Sequence, residues 1–333
     1  MTAVQIISKS NGFGLSHDIA LLTRALRACG AEVSVTAVDR HLGRRRRSML
    51  VRNVSRARYV WQRHRGAVQE PRYDINLMLE HLWPEFATEA RINIAVPNPE
   101  WFDYHDRRSL SLIDWVWSKT ENTHRIFAQM DKQTCLIGFA SQDCYDPNVL
   151  RQPTFFHLAG KSPLKGTDRL LRIWRRQPDW PRLIVVQEHG REDSATPAHN
   201  IEYHMGYQED FALRQLQNAS IFHLCTSESE GWGHSIAESM SVGALVISVD
   251  APPMNELVTP ERGLLVRHGI SRRQKCAQRY PFAEDSLRET IQRALLMNEE
   301  ERTALRHAAR RWFLSNQESF NGRIARALER TCT

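Results

Sequence analysis

Short apolar runs alternate with segments of helical period along nearly the whole chain. Val4 to Ser8 reads as a β-branched strand and Asn11-Gly12-Phe13-Gly14 as a glycine turn. His17 to Cys29 then places Ile19, Leu22, Ala25 and Leu26 on one helical face, and Glu32 to Val38 reads as a second strand. Further strands are expected at Ile75 to Leu79, Ile92 to Val96, Trp115 to Ser118 and Cys135 to Phe139, with a helix from Asn122 to Met130. After a polar stretch holding Pro147 and Pro153, the alternation resumes. It gives strands at Thr154 to Leu158, Leu183 to Val186, Ile201 to His204, Ile221 to Cys225, Leu245 to Val249 and Arg262 to Val266. Helices are expected at Thr167 to Arg176, Asp210 to Gln217, around Glu238, at Ala283 to Met297 and at Glu299 to Leu314. Strands alternating with helices of this length predict parallel sheets, so the fold class is α/β with two Rossmann-like, doubly wound domains. The expected division is 1–150 for the first domain and 151–315 for the second, with 316–333 a final helix packing back on the first. Ligands of such sheets bind beyond the carboxyl ends of the strands, which points to a central cleft between the domains.

Composition narrows the class of protein. The chain has 333 residues, 41% hydrophobic and 25% charged, enough for two globular domains and without repeat or low-complexity tract. The longest apolar runs, such as Ala244 to Val249, fall far below the roughly 20 residues of a spanning helix. Met1 to Ser10 lacks the charged start and apolar stretch of a signal peptide, so a cytoplasmic protein is expected. Six scattered cysteines, with no Cys-x-x-Cys, suggest reduced thiols and no zinc site. The net charge of +7 is concentrated: Arg40 to Arg72 holds eleven arginines against one acid, Glu70. Leu50, Val54, Ala57 and Trp61 share a helical face there. The segment therefore either lies on an anionic membrane surface or packs that face on the first domain, its arginines solvated.

Chemistry concentrates between Ile221 and Val258. A strand ends in a polar loop holding Ser227 and Glu230, a Gly231-Trp232-Gly233 turn opens a helix carrying Glu238, and a small-residue stretch leads to the next strand. Backbone N–H groups at a helix N-terminus suit anions, and carboxylates beside them accept hydrogen bonds from neutral hydroxyls. A nucleotide-sugar offers both groups. Gly160-Lys161-Ser162-Pro163-Leu164-Lys165-Gly166-Thr167 sits between a strand and a helix at the same sheet edge, where two lysines can neutralise a diphosphate. Its spacing is not that of an ATPase P-loop.

These residues resemble a family. EGWGHSIAESM, Glu230 to Met240, is similar to the Glu-x7-Glu element of the GT-B glycosyltransferases of the large retaining group called family 4, and Asn255-Glu256-Leu257-Val258 resembles its continuation. Gly160 to Gly166 resembles the family's Gly-Arg-x-x-x-x-Lys-Gly element, with Lys161 in place of arginine and one residue fewer. The resemblance covers 154–260 closely and the rest by architecture. It implies a nucleotide-diphosphate-sugar as co-substrate, no other cofactor, and a glycan or lipid-linked acceptor. Glu230 and Lys165 are then the catalytic candidates. Lys161, Glu238, Gly231, Trp232, Gly233, His234, Ser235 and Gly14 are the donor-binding candidates. Lysines in place of a metal imply metal-independent transfer with retention, and no Asp-x-Asp occurs in the chain. The family's histidine near the sugar has no counterpart in Ala95-Val96-Pro97-Asn98-Pro99-Glu100. His81 and Asn98 stand as acceptor-side candidates by position alone. Transfer to a nucleic-acid base is a weaker alternative, because only Tyr59 and Trp61 could stack within the basic run. Another is a non-catalytic GT-B-like protein that binds a nucleotide-sugar.

Overall fold

The computed structural model describes residues 1–9, 14–38, 53–54, 57, 59, 61, 71–188 and 198–332. The turn residues Asn11 to Phe13 and most of the Arg40 to Arg72 segment lie outside the described residues. The chain divides into two compact units: Met1–Ala140 with Gln274–Ala277 and Glu318–Thr333, and Ser141–Arg273 with Gln278–Gln317.

In the first unit the elements run β1 (Ala3–Ser8), α1 (Gly14–Ala28), β2 (Glu32–Ala37), β3 (Tyr73–Glu80), β4 (Ala90–Pro97), α2 (Tyr104–Ser109), β5 (Trp115–Ser118), α3 (Glu121–Ala128) and β6 (Gln133–Leu136). The six strands form one parallel sheet in the order β2-β1-β3-β4-β5-β6. β3 and β4 are near-continuous apolar runs because helices and loops cover both their faces. α1 buries Leu15, Leu22, Ala25 and Leu26 along one stripe, and Asp18 with them. α2 starts on a capping box, Asp103 accepting from Asp106 N–H. Thr120 caps α3 through Thr123 N–H. In the arginine-rich segment residues 53–54, 57, 59 and 61 are helical, and the described members of the shared apolar face, Val54, Ala57 and Trp61, are exposed. Val54 and Trp61 are more than half exposed, while Tyr59 enters the core and its hydroxyl accepts from Asn93 Nδ2 at 3.4 Å.

The second unit runs β7 (Gln152–Gly160), α4 (Thr167–Arg175), β8 (Leu183–Gln187), β9 (Ile201–Met205), α5 (Asp210–Ala219), β10 (Ser220–Cys225), α6 (His234–Ser241), β11 (Leu245–Val249), α7 (Met254–Leu257) and β12 (Leu264–Val266). The short pair β13 (Arg272–Gln274) and β14 (Ala277–Arg279) precedes α8 (Glu284–Leu296) and the long α9 (Glu299–Cys332). Its sheet is again parallel, in the order β12-β11-β10-β7-β8-β9. Phe155 of β7 stacks on Phe222 of β10 at 4.6 Å between ring centroids and meets Trp174 of α4 edge-on, which fixes α4 against the centre of the sheet.

Two boundaries differ from the sequence reading. The change of unit falls at Ala140/Ser141, ahead of the prolines, because Ser141 to Asp146 is tied into the second unit. Cys144 N–H donates to Ser241 Oγ at 3.0 Å, Asp146 N–H to Asn218 Oδ1 at 2.9 Å, and Arg310 grips Asp143 with two nitrogens at 2.6 and 2.8 Å. The last helices are one. α9 continues through Ser315-Asn316-Gln317, which holds no proline to break it, and its residues from Glu318 on belong to the first unit. There Arg323 Nε donates to Ile137 O at 2.7 Å and Trp117 Nε1 to Thr331 Oγ1 at 3.2 Å.

Each sheet has one topological switch point, where successive strands are added to opposite sides. In the first unit it lies between β1 and β3, and in the second between β7 and β10. No described helix is long and apolar enough to cross a membrane.

Candidate donor site

At the second switch point two loops are joined by their own backbones. After β7, Ser162 caps a short 3-10 turn at Pro163–Lys165, its hydroxyl accepting from Leu164 N–H at 3.2 Å. Gly166 follows at φ +68. A Cβ there would sit 2.8 Å from Thr226 O, so both the backbone angle and the close loop approach require glycine. The loop after β10 closes on this turn. Thr226 Oγ1 donates to Lys165 O at 2.8 Å and Glu228 N–H to Leu164 O at 2.7 Å. Glu228 is itself held by Arg279, and Tyr280 N–H donates to Glu228 O at 2.7 Å.

That junction brings Lys165 to Glu230. Lys165 Nζ donates to Glu230 Oε1 at 2.5 Å and to Ser235 Oγ at 2.9 Å, with both charged side chains about 15% exposed. An ammonium has three N–H donors, so this arrangement leaves one for a ligand. Burial alone pulls the Lys165 ammonium toward deprotonation. The charge and hydrogen bond of Glu230, with smaller help from Cys225 and Glu238, outweigh it and hold the lysine above its ordinary value. The cation is therefore fixed in charge and place.

α6 begins beside it. Gly233, at φ +104, is its N-cap, and the first intrahelical bonds are those of Ile236 and Ala237 N–H to Gly233 O, each 3.0 Å. The positive end of the helix dipole is thus presented at Gly233 to Ser235, against Lys165 and Glu230. Lys165, Ser235, Thr226 and Ser227 line one hollow, and the buried Ser227 hydroxyl has no hydrogen-bond partner among the described residues. Cation, helix end and hydroxyl together suit a diphosphate with a sugar attached.

Beneath the turn lies a residue that the sequence did not single out. His157, in β7, is 1% exposed, its Nδ1 2.8 Å from Leu224 O and its Nε2 2.9 Å from Thr167 Oγ1. Burial drives its pKa down to about 4, so the ring is neutral, donating from Nδ1 and accepting at Nε2. It ties β7, the end of β10 and the first residue of α4 into one support. His223 in β10 is likewise buried, between Ser239 Oγ and Gln217 O, with its pKa lowered by burial to about 3.

The other expected residues are placed variously. Glu238 is 7% exposed in α6, with Gln217 Nε2 at 3.4 Å, and so is not at a solvated helix position. Gly231 and Gly233 form the turn. Trp232 points inward, its Nε1 donating to Ser141 Oγ at 3.1 Å, and the same hydroxyl meets His234 Nδ1 at 2.8 Å. Lys161 is not gathered with Lys165. It lies at the same sheet edge but pairs with Glu188 at 2.5 Å, and it is 44% exposed. In the first unit Gly14 opens α1 and is exposed. His81 and Asn98 belong to a polar chain with Glu80, Asp106, Lys119 and Asp18. Of that chain the sequence reading had only His81 and Asn98.

The profile of the family "Glycosyl transferases group 1" matches residues 148–312. No curated protein sequence matches the chain. Among solved structures, sucrose-phosphate synthase from Thermosynechococcus elongatus is similar at TM-score 0.72 and 14% identity, over 99% of each chain. HepE from Anabaena, solved with UDP and glucose, is similar at TM-score 0.68 and 16% identity, over 99% of this chain and 100% of that one. A glycosyltransferase from Rickettsia africae gives TM-score 0.68 at 12% identity, over 98% and 97%. These identities carry the fold, and the profile covers the half that holds Lys165, Glu230 and Glu238. The chain is a glycosyltransferase of the GT-B fold, and its residues 148–312 belong to the glycosyl transferases group 1 family.

Proposed function

We propose that the protein transfers a sugar from a uridine-diphosphate sugar to a glycan or lipid-linked acceptor, with retention at the anomeric carbon and without a metal ion. The observation that carries this reading is the Lys165 ammonium, fixed between Glu230 and Ser235 at the N-terminal end of α6. As the bond from anomeric carbon to phosphate oxygen breaks, negative charge collects on the diphosphate. A preorganised cation with a spare donor stabilises that charge more in the transition state than in the bound donor. Glu230 keeps the lysine charged and accepts from donor-sugar hydroxyls with its remaining lone pairs, and Glu238 accepts from the ribose. Uridine is supported by the structural neighbours solved with UDP or a UDP-sugar. Retention rests on the family resemblance, in which a front-face route is favoured.

A thermal-shift screen of UDP, GDP, ADP and dTDP tests the donor, because a ligand at 100 times its Kd raises stability by about 2.7 kcal/mol. UDP should give the largest rise, and UDP release from UDP-glucose should survive EDTA. A larger rise with GDP would replace the base, and activity restored only by Mg²⁺ or Mn²⁺ would replace the lysine account.

A further inference from the structure

The turn that carries Lys165 is backed by a segment distant in sequence. After β14 the chain runs antiparallel to the stretch that follows β12. Gly269 N–H donates to Pro281 O at 2.7 Å and Ala283 N–H to Arg267 O at 2.8 Å, around a bridge between His268 and Phe282. These backbone bonds fix the segment before any side chain is considered. Phe282, fully buried, lies against Gly166, where a Cβ would come within 3.1 Å of its ring. Tyr280 N–H donates to Glu228 O, and Arg279 Nε donates to Glu228 Oε2. The segment therefore meets both loops of the candidate donor site, one through Gly166 and the other through Glu228.

Glu228 is a buried anchor of the second loop. Ser227, Glu228 and Ser229 are each 4% exposed or less, and neither serine hydroxyl has a hydrogen-bond partner among the described residues. Of these three, Glu228 is the one whose side chain is tied, and Arg279 is what ties it. The Glu228 carboxylate is 5% exposed and the guanidinium 41%. Taking the cation away leaves a buried charge without compensation, a larger cost than the intact pair contributes in stability. The carboxylate is then driven out to water. Glu228 N–H is also the group that donates to Leu164 O at 2.7 Å, one residue before Lys165, so its displacement loosens the Pro163–Lys165 turn.

We propose that Arg279 is a positioning residue for the transfer: by holding Glu228 in the interior it keeps that turn closed and Lys165 Nζ at Glu230 and Ser235. Arg279 acts through Glu228. The inference rests on the reading of Lys165 as the cation that meets the diphosphate. A misplaced cation costs most once charge has developed on the leaving group, so the effect belongs in kcat rather than in the donor KM.

The test is UDP release from UDP-glucose by variants whose Tm is known, assayed well below that Tm. Arg279→Ala should lower kcat at least tenfold, with the donor KM changed less than threefold. Guanidinium chloride, at concentrations too low to unfold the protein, should recover part of that kcat, because the vacated place opens to solvent. Sodium chloride at equal ionic strength should not. Arg279→Ala combined with Glu228→Gln should be no slower than Arg279→Ala alone, since the second change removes the charge that drives the loop outward. A wild-type kcat in Arg279→Ala overturns the proposal. So does a fall in kcat that guanidinium does not recover and that the double variant deepens, which would make Arg279 a prop of the fold. Lys165→Ala assayed alongside separates the two readings. An unchanged kcat there removes the donor account itself, whereas a slow Lys165→Ala beside a fully active Arg279→Ala removes Arg279 alone.

Discussion

Lys165→Ala should lower kcat about a hundredfold, equivalent to about 2.7 kcal/mol of transition-state stabilisation. The lysine is held within hydrogen-bond distance of both Glu230 and Ser235, and its charge is maintained by Glu230 against the pull of burial. Removing it takes away the group proposed to meet the diphosphate as charge develops, and it leaves Glu230 a largely buried carboxylate without its partner. Part of the loss is therefore electrostatic disorder of the site. Glu230→Ala should fall by tenfold or more, and the double variant should be little worse than Lys165→Ala, because two residues acting as a unit are not additive. Lys165→Arg should recover only part of the rate, since a planar fork does not reproduce a three-donor ammonium lodged between a carboxylate and a hydroxyl. The check is single-turnover sugar transfer at saturating donor on variants whose Tm is known. An unchanged kcat in Lys165→Ala would remove the lysine from the mechanism.

Acid should destabilise the second unit steeply between pH 6.5 and 4. His157 and His223 are neutral in the folded protein, with pKa values lowered by burial from 6.5 to about 4 and about 3. Above pH 6.5 neither the folded nor the unfolded chain protonates them. As pH falls below 6.5 the unfolded chain takes up two protons that the folded chain refuses, so stability is lost with falling pH. Two such groups give a slope of about 2.7 kcal/mol per pH unit, or about 5 kcal/mol from pH 6.5 to 4.5, comparable with the whole stability of many domains. Lys165, whose pKa is raised, stays charged throughout this window and adds nothing to the slope. Urea unfolding monitored in the second unit from pH 7 to 4.5 measures it. His157→Gln should remove about half the slope, and a flat profile in the wild type would mean that the rings are charged or exposed.

The candidate donor site of the second unit was legible because its chemistry is local. A strand, a polar loop, a Gly-x-Gly turn and a helix follow one another without interruption from Ser220 to Ser241, and the carboxylates fall where loop and helix place them. Lys165 was legible for the same reason, as the residue before a glycine that starts a helix. The pairing of Lys161 was not legible, because its partner, Glu188, lies after the neighbouring strand, and spacing along the chain does not show which ends of β7 and β8 meet. Trp232 looked like part of a ligand-contacting turn, but the hydroxyl that receives its indole N–H is Ser141, far away in sequence. His157 was hidden inside an apolar strand, where a histidine gives no periodic signal.

The first unit was harder to read. Its strands were expected close to where they lie, but the polar chain from Asp18 to Asp106 is assembled from five separate elements and loops. The left-handed backbone of Glu80, at φ +63, carries no compositional mark, because glutamate is not a turn residue. In the arginine-rich segment, helical period grouped Leu50, Val54, Ala57 and Trp61 on one face, for a membrane surface or for the first domain; of these Val54 and Trp61 are exposed, and it is Tyr59 whose ring reaches the core and whose hydroxyl finds Asn93. An aromatic ring that buries its face and still finds a polar partner outweighs the hydrophobic stripe.

The central claim is that a sugar diphosphate is held by Lys165 at the N-terminal end of α6. A crystal soaked with UDP tests it most directly. The account predicts diphosphate oxygens within hydrogen-bond distance of Lys165 Nζ and of the backbone at Gly233 to Ser235, with ribose hydroxyls on Glu238. Diphosphate bound elsewhere, with Lys165 still closed on Glu230 and Ser235 and no oxygen near it, would contradict the account.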